Sequence, residues 1–241
     1  MVDDMLDKQQ LEIYQRTIGL KDIGEQGQEK LLNSKVLIVG AGGLGSSAIL
    51  CLSSLGIGEL GIIDFDIVSP SNLPRQILYG YQDLGKLKVN VIKRLLKKRN
   101  PFIKVKTYST RLESGNATKI IKKYDVVLDC TDNFETKFLI DDVCQKLNKV
   151  YITAGVMDYQ GQVMTVIPRK TASFKSLFDE LPKSDPNEDK SIYPPLVHIV
   201  SNIVANEVVK YLLGIGDLLT DKLLVVNPVK NHYQIIEVKE K

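Results

Sequence analysis

Three groups of residues in this chain have types and spacing that could do chemistry. The first is a glycine turn. The apolar run Val36-Leu37-Ile38-Val39 reads as a short parallel strand and breaks into Gly40, Gly42, Gly43 and Gly45. Gly40, Gly42 and Gly45 have the spacing that brings a phosphate against backbone amides at a helix N-terminus. The second is Asp64, an acid at the end of the next strand, where a ribose hydroxyl is held in nucleotide-binding sheets. To this point NAD and ATP fit equally well, and a doubly wound sheet that merely needs a tight turn is the plain structural alternative. The third is the long loop from Asp64 to Lys88, which presents Asn72, Arg75 and Gln76 close together and then Lys88 at the start of a helix. A nicotinamide carrier asks for little charge beyond a helix dipole. Transfer at a phosphate needs fixed cations against charge developing on phosphoryl oxygens, so the loop favours ATP.

A further carboxylate stands in "LDCTDN", residues 128–133. At the C-terminal end of a parallel strand it lies where ligands bind, and Asp132 could hold the magnesium that accompanies ATP. The structural alternative is a helix N-cap, with Thr131 or Asp132 capping the helix that follows.

Short apolar runs alternate with longer amphipathic stretches, the signature of βαβ units and a mostly parallel sheet. Helices are expected over residues 11–34, then strand Lys35–Val39, helix Leu44–Leu55 closed by a left-handed cap at Gly56–Gly58, and strand Glu59–Asp64. After the loop come helix Lys88–Arg99, strand Lys104–Tyr108, helix Ala117–Lys123, strand 125–130, helix Phe134–Leu147, strand Lys149–Thr153 and a hairpin around Gly161. A helix Val197–Leu213 and strands Leu223–Val226 and His232–Val238 close the chain. The expected fold class is α/β, a Rossmann-like ATP-binding domain with a central, mostly parallel sheet and antiparallel C-terminal strands. It is expected as one domain over residues 1–241: N-terminal helices (1–34), a nucleotide-binding core (35–168), a mobile crossover loop (169–195) and a C-terminal helix with strands (196–241).

Bulk composition narrows the function classes. The 241 residues are 44% hydrophobic and 25% charged, as in a folded globular protein. With 32 Lys+Arg against 29 Asp+Glu, the net charge of +3 gives no nucleic-acid footprint. The basic clusters Lys93-Arg94 and Lys97-Lys98-Arg99 read as one solvated helix face. No signal peptide and no stretch of about 18 apolar residues is read, so no membrane association and a cytoplasmic location are expected. Cys51, Cys130 and Cys144 share no metal-pair spacing and read as reduced core residues. His198 reads as a satisfied core histidine on an apolar helix, and His232 as a strand surface residue.

The segments "YQRTIGL", "VLIVGAGGLGS", "IIDFDIVSPSNLPRQILY", "GKLKV" and "DCTDN", in that order, closely resemble the ubiquitin-activating superfamily. Within it they resemble the bacterial adenylyltransferases of molybdopterin and thiamine biosynthesis, the ThiF/MoeB/HesA family. The similarity runs from about residue 12 to residue 238. It implies an enzyme that binds ATP and Mg2+ together with the Gly-Gly tail of a ubiquitin-like sulfur-carrier protein, whose carboxylate attacks the α-phosphate to give an acyl-adenylate and pyrophosphate. The resemblance places Gly40, Gly42, Gly43 and Gly45 against the phosphates, Asp64 on the ribose, and Asn72, Arg75 and Lys88 around the triphosphate. It adds Ser71, Gln76 and Asn133 to the ATP site and puts Asp132 on magnesium. Arg16 matches the arginine that in this family reaches across a homodimer into the other subunit's site.

The chain also departs from that pattern. Many relatives carry a structural zinc held by two CxxC pairs; here Ser173 and Ser176 stand at the first pair's spacing and no second pair follows. Hydroxyls do not replace thiolates as zinc ligands, so no structural zinc is expected. No cysteine follows Cys144, so any sulfur would come from another protein. Two other readings stay open: adenylation of a different acceptor, such as a peptide C-terminus or a tRNA base, and a non-catalytic carrier-binding subunit. The full set of charged residues argues against the latter.

Overall fold

The computed structural model describes residues 6–178, 182 and 191–239. Helices α1 (Lys8–Ile18) and α2 (Gly24–Asn33) lead into an eight-stranded sheet. Strands β1 (Lys35–Val39), β2 (Glu59–Ile63), β3 (Lys104–Tyr108), β4 (Val126–Asp129) and β5 (Val150–Met157) run parallel to their neighbours among these five. Strands β6 (Gln160–Val166), β7 (Lys222–Asn227) and β8 (His232–Glu237) continue the sheet antiparallel. The helices between them are α3 (Gly43–Ser54), α4 (Lys88–Arg99), α5 (Ala117–Ile121), α6 (Phe134–Leu147) and α7 (Pro194–Leu213).

The spatial order is β3-β2-β1-β4-β5-β6-β7-β8. The chain therefore builds outward from β1 to β3 and then returns to the other side of β1 with β4. That reversal opens a crevice at the C-terminal ends of β1 and β4, the position where open α/β sheets bind ligands. The central strands read as unbroken apolar runs because they are covered on both faces. Successive residues of β1 alternate accordingly: Val36 and Ile38 join the core under α3, α4 and α7, while Leu37 and Val39 join the core under α5 and α6.

The expected fold class is the one observed, with several local differences. The hairpin turns at Asp158-Tyr159, where Asp158 takes φ 49°, and not at Gly161. Gly161 lies inside β6 because a Cβ there would fall 2.4 Å from Val200 Cγ2; it is a close-approach site for α7. Helix α7 itself overturns the expectation that no apolar stretch of that length occurs, being long and apolar enough to cross a bilayer by length and composition. It packs against α3, β5 and β6 as a core helix of this sheet. Of the expected mobile segment 169–195, residues 171–178 are anchored instead. The Ala172 amide donates to Asp221 at 2.7 Å, the Phe174 amide donates to the Tyr151 hydroxyl at 3.1 Å, Phe178 packs edge-on against Phe134, Phe138 and Phe174, and Phe174 meets Phe138 in a tilted contact. Ile192 bridges Asp158, and residues 179–181 and 183–190 lie outside the described residues.

Candidate functional site

The glycine turn closes the C-terminal end of β1. Gly40 takes φ 90°, and a Cβ on it would lie 2.8 Å from the Cys130 carbonyl oxygen, so only glycine lets the turn abut the end of β4. A Cβ at Gly45 would meet the Gly40 oxygen at 2.0 Å, which fixes the close approach of α3 to β1. Helix α3 begins after Gly42 with no side-chain cap. Its first amides are left to water or to an anionic ligand, with the helix dipole behind them.

Two side chains brace this turn from outside it. The Asp64 carboxylate accepts from the Ala41 amide at 2.7 Å and from the Asp66 amide at 2.8 Å, and the Tyr79 hydroxyl donates to the Ala41 oxygen at 2.7 Å. Burial pushes the Asp64 carboxyl above the usual carboxylate range, partly offset by the Ala41 amide and the Lys88 ammonium. Lys88 is itself almost fully buried and pairs with Asp66 at 3.0 Å, so its charge stands one residue pair away from Asp64.

The loop supplies the remaining polar groups. A short 3-10 turn, Pro70–Asn72, is closed by the Ser69 amide donating to the Asn72 side-chain oxygen at 3.0 Å. Ser71 is exposed, and its carbonyl accepts from Arg75 Nη1 at 2.7 Å, which draws the guanidinium back over the turn. The Arg75 stem lies 3.6 Å from the place a Cβ on Gly43 would occupy, and Gln76 Nε2 lies 3.7 Å from the corresponding place on Gly42. Gln76 is buried, and its Oε1 has no partner among the described residues. Val197 of α7 closes the far side, 2.8 Å from a Cβ on Gly43.

At the end of β4, Asn133 caps α6 by accepting from the Thr136 amide at 2.9 Å. The cap is therefore neither Thr131 nor Asp132. Thr131 turns its amide and hydroxyl to Asp129 Oδ1, at 3.0 and 2.7 Å. Asp132 is exposed and has no hydrogen-bond partner among the described residues. No cluster of three or more His, Cys, Asp or Glu occurs among the described residues. One uncommitted carboxylate at the C-terminal end of β4 has the donor chemistry Mg2+ takes, since that ion keeps several waters and binds through one or two carboxylates plus substrate phosphates.

Gly40, Gly42, Gly43, Gly45, Asp64, Ser71, Asn72, Arg75, Gln76, Lys88, Asp132 and Asn133 thus gather around one crevice. Arg16 does not join them. It is exposed in the last turn of α1. Tyr14, half a turn earlier, packs its ring at Gly56, beyond the far end of α3. The twelve-residue α3 spans about 18 Å, so the Tyr14 contact lies at the end of the strands opposite the glycine turn, and Arg16 follows it by two residues. His198 is half-buried and not a core residue; its Nδ1 lies 2.6 Å from Ser47 Oγ, and it lines a cavity of about 350 Å³ with Cys51 and Asn202. Burial pushes all three cysteine thiols above their ordinary range, which disfavours the thiolate.

Sequence reasoning missed Asp66, Tyr79, Val197 and Lys137. The first was legible as the second acid of "DFD"; a lysine in the apolar stripe of α6 was the signal for Lys137. Tyr79 and Val197 read as ordinary core residues, and only their three-dimensional contacts mark them.

The pattern of the ThiF family matches residues 14–241. A sulfur carrier protein adenylyltransferase of Thermus thermophilus is 33% identical over 96% of this chain and 89% of its own length. A probable molybdopterin-synthase adenylyltransferase of Porphyra purpurea is 35% identical over 93% of this chain. The chain spans 60 to 62% of the length of that protein and of the next curated relatives it matches. Among solved structures, E. coli MccB superposes with a TM-score of 0.86 at 25% identity, covering 95% of this chain and 70% of MccB.

Proposed function

The chain belongs to the ThiF family, and on that premise we propose that it is an ATP-dependent adenylyltransferase acting on the C-terminal glycine carboxylate of a ubiquitin-like sulfur-carrier protein. The observation that carries this reading is the pairing of an uncapped helix start at Gly42–Gly43 with the Arg75 side chain lying over it, at the crevice where the sheet order reverses.

Each residue has a task that follows from its chemistry. The amides of the glycine turn and the α3 dipole receive phosphate oxygens. Arg75 and Lys88 neutralise charge on the triphosphate; Lys88 does so by sharing or exchanging its Asp66 partner. Asn72 and Gln76 add amide groups beside them, and Asp64 accepts from a ribose hydroxyl through the lone pairs its backbone donors leave free. Asp132 is the residue that would hold Mg2+, which when bound neutralises phosphate charge. The acceptor's carboxylate oxygen bonds to the α-phosphorus, the bond from that phosphorus to the bridging β-oxygen breaks, and the electron pair leaves on pyrophosphate. No general base is needed, because the attacking carboxylate is already ionised at neutral pH. Catalysis is then positioning together with electrostatic stabilisation of the transferring phosphate. Arg16, remote from its own chain's crevice, serves the site of a second copy in a homodimer.

ATP–pyrophosphate exchange tests the reading. With a Gly-Gly-ending carrier present, the wild-type chain exchanges label, and Arg75→Ala lowers the rate by about 10²-fold. An Arg75→Ala protein that exchanges as fast as wild type takes Arg75 off the triphosphate, whereas a wild-type chain that binds ATP and carrier but exchanges no label points to a subunit that binds without turning over. A second acceptor class stays in view because a solved structure of MccB in complex with N-formylated MccA is 25% identical to this chain with a TM-score of 0.82. Exchange supported by a short peptide and not by any carrier would favour it.

A further inference from the structure

We infer that Lys137, through Asp129, is a positioning residue for the Asp132 carboxylate. The inference rests on reading Asp132 as the residue that holds the cation.

Lys137 projects from the first turns of α6 with its side chain only 8% exposed. Its ammonium donates to Asp129 Oδ2 at 3.0 Å and to the Ala154 carbonyl at 2.7 Å, and the Phe174 ring lies 6.0 Å from it. Asp129 is 1% exposed, and its other donors account for the rest of its capacity: Thr153 Oγ1 at 2.8 Å on Oδ2, and the Thr131 amide and hydroxyl on Oδ1. One carboxylate therefore gathers donors from β5, from α6 and from the residue next to Asp132. The Thr131 amide and hydroxyl are clamped, one residue before Asp132 at the C-terminal end of β4. Asp132, by contrast, is left without a partner of its own among the described residues.

A buried ion pair of this kind is poorly explained by stability, since desolvating both charges offsets most of their attraction. It is well suited to fixing one backbone direction, because every donor must be satisfied at once. Removing the ammonium leaves Asp129 buried without its cation. The carboxylate must then turn toward another donor, and that change releases Thr131.

Charge and positioning predict opposite signs for the same variant. Lys137→Met deletes a cation near Asp132, so simple electrostatics calls for tighter cation binding; positioning calls for weaker binding. The test uses the full chain, with Mn2+ as the probe, read by electron paramagnetic resonance in the presence of α,β-methylene ATP. Lys137→Met is expected to weaken Mn2+ binding about tenfold, while binding of the analogue alone, followed by calorimetry, changes little. Thr131→Val, which keeps shape and deletes one donor to Asp129, is expected to weaken Mn2+ about threefold and covers the case in which Lys137→Met does not fold. Unchanged or tighter Mn2+ binding in a folded Lys137→Met or in Thr131→Val overturns the inference. Asp132→Asn separates the two levels: wild-type Mn2+ binding there overturns the cation reading itself, whereas weakened binding there beside unchanged Lys137→Met and Thr131→Val overturns only the positioning role.

Discussion

The carboxylate of Asp64 and the backbone amide of Ala41 are joined by a 2.7 Å hydrogen bond, so the acid at the end of β2 and the glycine turn after β1 form one unit. A second amide, that of Asp66, occupies the other carboxylate oxygen at 2.8 Å. This arrangement makes Asp64→Asn costly in either amide orientation, because its NH2 end must face a backbone N–H. We expect a loss of about 1–3 kcal/mol in denaturant unfolding. ATP affinity measured by calorimetry should fall at least about tenfold with it. Wild-type stability in Asp64→Asn would show that the turn does not depend on this acid.

Gly43 and Gly45 should separate binding from folding. A Cβ at Gly45 meets backbone at 2.0 Å and cannot be relieved by a side-chain shift, so Gly45→Ala should fail to give soluble, cooperatively melting protein. At Gly43 the obstacle is Val197 Cγ1 at 2.8 Å, a side chain that can move. Gly43→Ala should therefore fold, lose about 1–3 kcal/mol, and lose ATP affinity out of proportion to that cost. Equal ATP affinity in Gly43→Ala and wild type would remove the phosphates from this turn.

Arg16 and Arg75 belong to different sites in the proposed dimer. Arg16→Ala and Arg75→Ala should each be inactive alone in carrier-dependent exchange. Co-refolded in equal amounts they should recover about a quarter of wild-type activity, because half the dimers are mixed and each mixed dimer keeps one intact site. No recovery above the separate variants would place Arg16 outside the partner's site.

Asp141 gives a pH signature. Burial raises its carboxyl above the ordinary range and outweighs the Lys175 amide, which donates to Oδ2 at 3.1 Å, and the Tyr151 and Gln145 side chains beside it. A raised acid binds its proton more tightly in the folded state. Its stabilising contribution is thus full below the unfolded carboxylate range and is lost as pH rises through the folded value. Asp141→Asn removes that loss, so the difference in melting temperature, variant minus wild type, should be more positive at pH 7.5 than at pH 5. A difference independent of pH over that interval contradicts the assignment.

Much of this fold was legible because its central strands are covered on both faces. "VLIV" and "DVVLD" could be read as buried parallel strands without knowing their partners, and "FETKFLIDDVCQKL" fell on α6 with its observed bounds. The motifs around the crevice were legible for the same reason that they work: glycines, acids and cations at a strand end have few structural uses. What failed to show were relationships fixed only by packing. Gly161 looked like a turn residue but makes room for Val200, and the apolar helix that needs that room was read from Val197, three residues short of its start at Pro194. The anchoring of residues 171–178 depends on four phenylalanines, two from α6 and two from that segment, and no local pattern announces their meeting. Lys137 left a local trace, a lysine in the buried stripe of α6, but its partner Asp129 lies on a different element and could not be read from that stripe.

The central claim, activation of a carrier's C-terminal carboxylate at the α-phosphate, is tested most directly by ATP–pyrophosphate exchange with two forms of one Gly-Gly-ending carrier. The first carries the free terminal carboxylate and the second a terminal carboxamide. The proposed chemistry requires exchange with the first and none with the second, together with a carrier heavier by one adenylyl group in intact-mass spectra when pyrophosphatase is present. Exchange that is equal with both forms, or absent with every carrier while ATP binding is intact, would contradict it.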